Sequence, residues 1–471
     1  MPPVTPVNNP SPSTLNVCKE RVSSREIWSL TWPQALMMLF QFLVGFTDVV
    51  VAGHIHPHVQ SALGIVTQCQ FFLMVVGIAL VNGGLAAMSQ SLGANLPWRA
   101  ERYIGLLFKL TGIFSLITMG VGLMFRRQLL ELLGVPEAIF PLTLDLWVLL
   151  LFIMPSSYLS FATIAIFRSR KNVWIPLTSA ILVCVVNTFA DLGFGLGMFG
   201  LPAVGAEGII WASIFSMTAG ALFNVGVLIR KKIVTRRSFA PLRWEKKAFP
   251  YILKVALPAG GSQFLWQLGY LMLYMITNTL PYDSVTATAG MTAGMRIEAL
   301  LFLPGMAFSF TGSILVGHCL GAGNRAEAKR VGLRVVIAGA LSMSIIAAML
   351  FPFLPEISAF VAPDESVARV ATSYLMFNFF AMPFTVTSMI MSGLFSGAGA
   401  TIFSLAAFSI GTWLIRLPLA WYMGHVIWQN ASGIFAAMLV SQIVQASICV
   451  YLFLCRDWYR FASTAKRFKQ G

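Results

Sequence analysis

The amino-acid sequence predicts an all-α polytopic membrane protein, with 12 transmembrane helices arranged in two six-helix lobes. The first observation is the composition: 57% of the 471 residues are hydrophobic and only 10% are charged, whereas about 25% of a soluble domain is charged. The second is the recurrence of charge-poor stretches of the ~20 residues that a helix needs to cross the hydrocarbon. The third is that motifs of the first half return in the second half, which indicates two related halves.

The predicted spans follow one another along the whole chain. Helices are the expected spanning structure, because a barrel would show short strands of alternating hydrophobicity. The first half contributes spans near 28–52, 61–90, 103–125, 139–166, 174–198 and 206–229. The second half contributes spans near 250–279, 286–316, 331–353, 369–395, 401–424 and 431–455.

The repeated motifs lie 225 to 228 residues apart. They are Pro33 and Pro258, Leu92-Gly93-Ala94 and Leu320-Gly321-Ala322, Val135-Pro136-Glu137 and Ala362-Pro363-Asp364, Met154-Pro155 and Met382-Pro383, and Gly208-Ile209 and Gly433-Ile434. Six crossings per half make the repeat a parallel one, related by an axis along the membrane normal. This construction is typical of secondary transporters, in which a path runs between the halves.

Loop charge predicts the orientation. One set of loops, the linker between the halves and the C-terminal tail are rich in Lys and Arg, whereas the loops at 53–60, 199–207, 280–285 and 424–430 contain neither. Basic loops face the cytoplasm, so we expect a multi-pass protein of the plasma membrane with both termini cytoplasmic. The expected organisation is a disordered tail at 1–24, an N-lobe at 25–229, a basic linker at 230–249, a C-lobe at 250–456 and a basic tail at 457–471.

Composition argues against several classes of protein. No long hydrophilic segment accompanies the spans, so we expect neither an enzyme nor an attached catalytic domain. The net charge of +15 lies in short loops, which makes nucleic acid an unexpected partner. Six scattered cysteines indicate no disulfide framework or metal centre. The polar N-terminal segment lacks the pattern of a cleaved signal. The expected partners are the lipid bilayer and a small organic molecule, bound without a cofactor by a monomer.

Two carboxylates lie inside predicted spans, where a charge costs at least ~3 kcal/mol. Asp48 shares a helix face with Gln41, and Asp191 shares one with Asn187. Removal from water favours the neutral form of a carboxyl group, and a second acid nearby favours it further. The pair could take up a proton, or bind Na⁺ with oxygen atoms of Asn187 and Ser213. The alternative is structural, with Asp48 near solvent at a span end and Asp191 bonded to a neighbouring helix.

Other polar residues allow two interpretations each. Arg416 could be an electrostatic element of a substrate cavity, or it could snorkel or hold a helix end. Arg296 and Glu298 do not face each other on a helix and are expected to have partners elsewhere. His54-Ile55-His56-Pro57-His58 resembles a metal motif, but Pro57 and the short loop argue against a designed site.

The chain resembles the multidrug and toxic compound extrusion (MATE) family of antiporters over nearly its whole length. The residues that carry the resemblance are Trp32-Pro33, Asp48 to Gly53, Ser89 to Ala94, Asn187 to Asp191, Val316 to Asn324 and Arg416 to Leu419. The resemblance implies a V-shaped pair of six-helix bundles that exports organic cations in exchange for H⁺ or Na⁺. It implies an ion site at Asp48, Asn187, Asp191 and Ser213, a cavity residue at Gln41 and a helix bend at Pro33.

The sequence departs from the family pattern in the second half. One branch of the family carries an acid in the seventh span, whereas this chain has Gln263, Trp266 and Gln267 there. The tenth span ends in 396–400 without the charged residues common at that place. Both departures favour ion coupling in the N-lobe and leave a C-lobe site doubtful. A lipid-linked saccharide flippase of related architecture is the alternative, and it should line its cavity with several basic residues.

Overall fold

The computed structural model describes residues 21–200 and 202–463. In order, the helices of the first half are α1 (Ser24–Ile55), α2 (Pro57–Gly93), α3 (Pro97–Met124), α4 (Arg126–Leu132), α5 (Phe140–Leu151), α6 (Met154–Ser169), α7 (Trp174–Ala190) and α8 (Ala206–Arg230). Those of the second half are α9 (Leu242–Asn278), α10 (Ser284–Gly321), α11 (Arg325–Leu350), α12 (Leu354–Val361), α13 (Glu365–Ala398), α14 (Thr401–Ser409), α15 (Leu417–Tyr422) and α16 (Ala431–Cys455). Every predicted span therefore coincides with a helix or a run of joined helices.

Among the described residues, ten helices are long and apolar enough to cross a membrane, and the bent pair α5–α6 makes an eleventh span. The remaining predicted span corresponds to α9, which has 37 residues but a more polar sequence. Its polar residues include the glutamines that already set this span apart in the sequence. The protein is thus an all-α, multi-pass membrane protein.

Helices begin where the sequence supplies a cap or a proline. The side chain of Ser23 accepts from the backbone N–H of Glu26 at the start of α1, and Asn324 caps α11 in the same way. Side-chain oxygens of this kind satisfy N–H groups that have no partner within the helix. Pro57 and Pro97 occupy first helical positions, where a missing N–H costs nothing.

The matching Met-Pro motifs of the two halves have different helix geometry. α5 and α6 meet at an angle of 44° just before Pro155, whereas α13 runs unbroken through the matching Pro383. The fifth span of each half leaves regular α-helix geometry. α7 continues as a π-helical turn, Asp191–Gly195, and α14 continues as Ile410–Arg416. Turns of this type are frequent at functional sites.

The lobes meet at the end of the bundle that carries the basic loops, here called the basic end. Gly93 of α2 packs against the backbone carbonyl of His318, and Gly321 of α10 packs against that of Gln90. Each residue lies 228 positions from its counterpart, so the pseudo-two-fold axis passes between these contacts. Helices approach this closely only where no side chain intervenes. The Leu-Gly-Ala repeat therefore marks the crossing of the two lobes.

Further interlobe contacts also lie toward the basic end. The hydroxyl of Thr31 donates to Thr311 Oγ1 at 3.0 Å, and Gln34 Nε2 donates to the same oxygen at 3.0 Å. His318 Nε2 lies 2.8 Å from the carbonyl oxygen of Ser169. The helix pairs that join the lobes are mainly α2 with α9, α2 with α10 and α1 with α10. Packing between the lobes continues along α2 and α9, where Gly260 lies against Ala79 and the ring centres of Phe72 and Phe264 lie 6.0 Å apart.

The chain segments outside the spans pack along the basic end. Of the predicted N-terminal tail, residues 1–20 lie outside the described residues, while Val22 is buried and donates its N–H to Glu327 at 3.2 Å. In the linker, the hydroxyl of Thr235 donates to Glu101. At the other end of the chain, Trp458 is buried, and residues 464–471 of the predicted tail lie outside the described residues.

Candidate functional site

Three N-lobe helices bring four predicted residues together. Asp48 lies on α1, seven residues before the helix ends, which places it ~10 Å from the end opposite the basic loops. Asp191 begins the π-helical turn that follows α7, and Asn187 lies one turn earlier. Ser213 lies on α8. Because α1 and α8 both contact this turn, the four side chains share one pocket.

A short chain of hydrogen bonds connects the three helices. The amide Nδ2 of Asn187 donates to Ser213 Oγ at 3.4 Å, and Ser213 Oγ donates to Asp48 Oδ2 at 3.4 Å. The carboxyl groups of Asp48 and Asp191 lie close enough to interact electrostatically. Asn187 and Asp191 are fully buried, whereas Asp48 is half-buried. The pocket thus reaches from the surface of α1 into the interior of the N-lobe.

The pocket has more acceptors than donors. Asp48 Oδ1, Asn187 Oδ1 and both carboxylate oxygens of Asp191 are buried and have no hydrogen-bond partner among the described residues. Such groups are costly to bury unless something satisfies them. Two ionised carboxylates have no hydrogen to share, so a proton or a cation is what this arrangement can hold. The chemistry of the pocket fits a small positive ion.

The other predicted N-lobe residues lie on α1, outside this cluster. Gln41 is exposed, on the same face of α1 as Asp48. Pro33 is buried near the basic end, and α1 remains helical through it. The ring removes one hydrogen bond from the helix interior and so weakens it there.

Arg416 lies in the C-lobe at the end of a π-helical turn and only 1% of its surface is exposed. Its Nε donates to Ser441 Oγ at 2.9 Å, and its guanidinium carbon lies 5.8 Å from the ring centre of Tyr270. Glu298, also buried, accepts a hydrogen bond from the hydroxyl of Tyr374. In this conformation the guanidinium group does not reach the surface.

The histidine motif makes local contacts only. The backbone N–H of His58 donates to His56 Nδ1 at 3.1 Å, and the two rings lie edge to face. His54 Nδ1 lies 2.8 Å from the carbonyl oxygen of Val50. Among the described residues, no three His, Cys, Asp or Glu side chains form a group that could hold a metal ion.

Sequence reasoning missed several contacts. It identified Glu298 and Arg416 separately but not Tyr374, whose position in an apolar run gives no signal for its partner 76 residues away. It also missed Thr31, Gln34 and Thr311 at the seam. Small polar residues recur in many spans, so only the packing of the lobes distinguishes these three.

The profile of the MatE family matches residues 33–192 and again 258–422, one match in each half and more than half of the chain together. The chain belongs to the MatE family. Both matches begin at the prolines that open the repeat.

Relatives of this MatE protein span nearly its whole length. A probable multidrug resistance protein, NorM of Thermotoga maritima, is 24% identical over 461 residues, which cover 95% of this chain and 96% of the relative. The multidrug resistance protein PmpM of Pseudomonas aeruginosa is 25% identical over 481 residues, with 98% of each chain covered.

A solved structure described as the outward-facing conformation of a multidrug resistance MATE family transporter matches with a TM-score of 0.88 at 18% identity. The match covers 97% of this chain and 100% of that chain. At this identity the likeness establishes the fold of this MatE protein.

Proposed function

We propose that this protein is a secondary active antiporter that exports organic, cationic drugs or metabolites in exchange for H⁺ or Na⁺. Membership of the MatE family and the naming of its relatives as multidrug resistance proteins support the transport class. The observation that carries the coupling proposal is the group of unpartnered oxygens around Asp48 and Asp191.

The proposed mechanism is alternating access controlled from the N-lobe. While Asp48 and Asp191 are charged, the cleft attracts a cationic, amphipathic molecule, which Gln41 helps to bind. Uptake of a proton or Na⁺ reduces the negative charge of the pocket and weakens this attraction. α1 then bends at Pro33, where its hydrogen bonding is weakest, and the cleft narrows. The ion can shift the equilibrium between the two conformations only by the difference between its affinities for them.

The same proposal fixes the direction of transport. If the basic end faces the cytoplasm, as the distribution of Lys and Arg favours, the seam closes the cytoplasmic side and the cleft opens outward. Both termini then lie in the cytoplasm. The pocket lies ~10 Å from the outer end of α1, so an external ion reaches it without crossing the seam.

The test is ion-driven efflux from proteoliposomes, with the pH gradient and the Na⁺ gradient imposed separately. Asp48→Asn and Asp191→Asn each remove one of the two negative charges and nearly preserve the shape of the side chain. We expect each variant to lose at least about tenfold in ion-driven efflux, equivalent to ~1.4 kcal/mol of coupling.

Asp145→Asn is the matched control, because Asp145 is an exposed acid on α5 of the same lobe. It should transport as the unmodified protein does. Normal ion-driven efflux in both pocket variants, with the fold intact, would reject the N-lobe as the coupling lobe.

The alternative of a saccharide-lipid flippase requires an exposed basic cavity that binds a phosphate group. Arg416 is 1% exposed and donates to Ser441, so it gives that alternative no support in this conformation. Lys109, the other basic candidate, pairs with Glu245 at 2.6 Å. The antiporter is therefore the function we propose.

A further inference from the structure

The C-lobe contains a buried cluster of charged and phenolic groups that the proposed mechanism does not use. Arg416 and Glu298 are 1% and 5% exposed. Tyr374 donates to Glu298, and Tyr270 lies beside the guanidinium group. Electrostatic interaction links Glu298 and Arg416, yet the described residues include no ion pair between them within 4.0 Å. The cluster therefore holds a guanidinium group and a carboxyl group inside one lobe, each beside a tyrosine.

Matched packing contacts show which N-lobe position Arg416 represents. The contact of Gly220 with Val183 in the N-lobe corresponds to the contact of Gln445 with Gly411 in the C-lobe. In the same way, the contact of Gly208 with Phe194 corresponds to the contact of Gly433 with Met423. In these contacts, matching residues in the last spans of the two lobes lie 225 positions apart in the sequence. Matching residues in the fifth spans lie 228 or 229 positions apart, which is the second offset. The second offset places Arg416 at the level of Asn187 or Thr188. Each side chain donates to a serine on the last span of its own lobe, Asn187 to Ser213 and Arg416 to Ser441. The offset of 225 pairs Ser441 with Ser216, so the two serines lie about one turn apart in the repeat.

The acids of the N-lobe pocket have apolar counterparts in the C-lobe. The same offsets relate Asp48 to Leu273 and Asp191 to Leu419 or Ala420. The C-lobe thus has apolar side chains in place of the two carboxylates and a guanidinium group close to the position of the amide. The acid of the cluster, Glu298, comes from a different helix, α10. A guanidinium group stays charged under all physiological conditions.

We propose that Arg416 is a permanent internal cation that takes the place, in the C-lobe, of the exchangeable ion bound by the N-lobe. Glu298 is its counter-charge. The C-lobe then binds no coupling ion, and each transport cycle exchanges ions at the N-lobe pocket alone. This inference rests on the proposed function, since it assigns the number of ion sites to that antiporter.

If the proposal is correct, removal of the guanidinium group should create a cation site in the C-lobe. Arg416→Gln leaves Glu298 buried without its counter-charge, beside the hydroxyl of Ser441. Gln445 Oε1, one turn from Ser441, is buried and unpartnered among the residues that the structure describes. These oxygen atoms are ligands suited to a proton or an alkali cation. The variant should therefore acquire a cation site that the native C-lobe lacks.

The experiment measures thermal unfolding of purified protein, in detergent, over a series of Na⁺ concentrations and of pH values. All variants carry Asp48→Asn and Asp191→Asn, so the N-lobe pocket contributes no carboxylate. In this background, Arg416→Gln should gain at least about 3 °C in Tm when Na⁺ or protons are added. The parent background and Arg416→Lys, which keeps a cation, should gain no such response.

Arg416→Gln combined with Glu298→Gln is the decisive second variant, because neither charged group of the cluster then remains. It should be insensitive to Na⁺ and pH, and it should fold even if Arg416→Gln alone does not. A uniform loss of stability in Arg416→Gln, unaffected by cations, would overturn the proposal and leave Arg416 a packing residue. Failure of the double variant to fold would overturn it as well.

The outcome is independent of the test of the proposed function. N-lobe coupling is tested by efflux in the single aspartate variants, where normal transport contradicts it. The C-lobe inference is tested in protein that lacks both N-lobe acids, where a missing cation response contradicts it.

Discussion

Exposure divides the two carboxyl groups of the pocket into an outer and an inner one. Asp48 is half-buried and Asp191 is fully buried, and their carboxyl groups lie close together. Under the proposed function, an ion that enters from the surface of α1 would therefore meet Asp48 before it meets Asp191. Because a buried charge is costly unless it is paired, the inner carboxylate gains most from a bound cation. We infer that Asp48 admits the ion and Asp191 retains it.

Under the proposed function, substitution of Ser213 should distinguish the two possible coupling ions. A sodium ion needs several oxygen ligands, whereas a proton needs one acceptor, so the hydroxyl matters to the first and little to the second. Ser213→Ala should weaken Na⁺-driven efflux about three- to tenfold, within the ~0.5–1.5 kcal/mol that one such contact contributes. The measurement is the concentration of driving ion that gives half-maximal efflux, taken for each gradient separately.

Ser156 supplies the control for this substitution. It lies in the same lobe and shares a hydrogen bond of 2.7 Å with Thr218, away from the four pocket residues. Ser156→Ala should leave both ion dependences unchanged. An equal loss of Na⁺-driven and H⁺-driven efflux in Ser213→Ala would show that the hydroxyl does not act as an ion ligand.

At the scale of elements, the crossing of α2 and α10 depends on two glycines. A Cβ atom at Gly93 would overlap the carbonyl oxygen of His318, and one at Gly321 would overlap that of Gln90. The neighbouring atoms belong to helix backbones, which cannot move aside as a side chain can. The basic end can therefore close only while both positions lack a side chain.

Gly93→Val should separate the lobes at the basic end. Overpacking of this kind costs about 1–3 kcal/mol, which shifts the population toward a conformation in which the seam is open. Electron spin resonance distances between labels at Trp98 and Ala326, in a background without the native cysteines, should lengthen or broaden. Both labelled positions are exposed and flank the crossing.

Gly112→Val is the control for the same change on α3, because a Cβ atom at Gly112 meets nothing within 4 Å. The distance distribution of that variant should match the native one. If Gly93→Val also gave the native distribution, the glycine contacts would not determine closure.

The sequence predicted the positions of the helices better than their ends, bends and π-helical turns. Apolar runs located every span, but helices extended beyond them where polar caps such as Ser23 and Asn324 begin the helix. The bend before Pro155 and the continuity through Pro383 were not predictable, since the motif is the same in both halves. The π-helical turn at Asp191 depends on packing against α1 and α8, which hydrophobic periodicity does not report.

Composition explains why part of the candidate site could be predicted. Charged residues are rare in apolar spans, so Asp48 and Asp191 stand out in the sequence. Ser213 and Asn187 came from spacing and from resemblance to a family. Tyr374, by contrast, is an ordinary aromatic residue of a span, and only the fold brings it to Glu298.

At the scale of the whole molecule, Gln90 joins both lobes and the C-terminal segment. Its Nε2 donates to the carbonyl oxygen of Gly397 at 2.8 Å. Its Oε1 accepts from the hydroxyl of Tyr251 at 2.9 Å and from the backbone N–H of Ser463 at 2.8 Å. Arg99 Nη2 donates to the side chain of Ser463 as well. Contacts between the lobes at the basic end and the position of Ser463 therefore depend on one amide group.

Gln90→Leu keeps the size of the side chain and removes all three hydrogen bonds. Since each buried group left without a partner costs about 1–3 kcal/mol, Tm should fall and the segment Trp458–Phe461 should exchange its amide hydrogens faster. Hydrogen exchange followed by mass spectrometry measures the second effect. Exchange in α16 itself should change little.

Gln442→Leu provides the comparison, because Gln442 is buried within the C-lobe and its Oε1 has no partner among the described residues. That variant should retain slow exchange in the C-terminal segment. Equal exchange in native protein and Gln90→Leu would show that Gln90 does not hold this segment.

The one-sided placement of the seam has a geometric consequence for the size of the passage. The hydrocarbon is about 30 Å thick, so helices joined near one surface act as arms of about that length. A relative rotation of only about 10° then displaces their far tips by about 5 Å. A small angular change at the basic end can therefore alter the separation of the far tips without disturbing the interior of either arm.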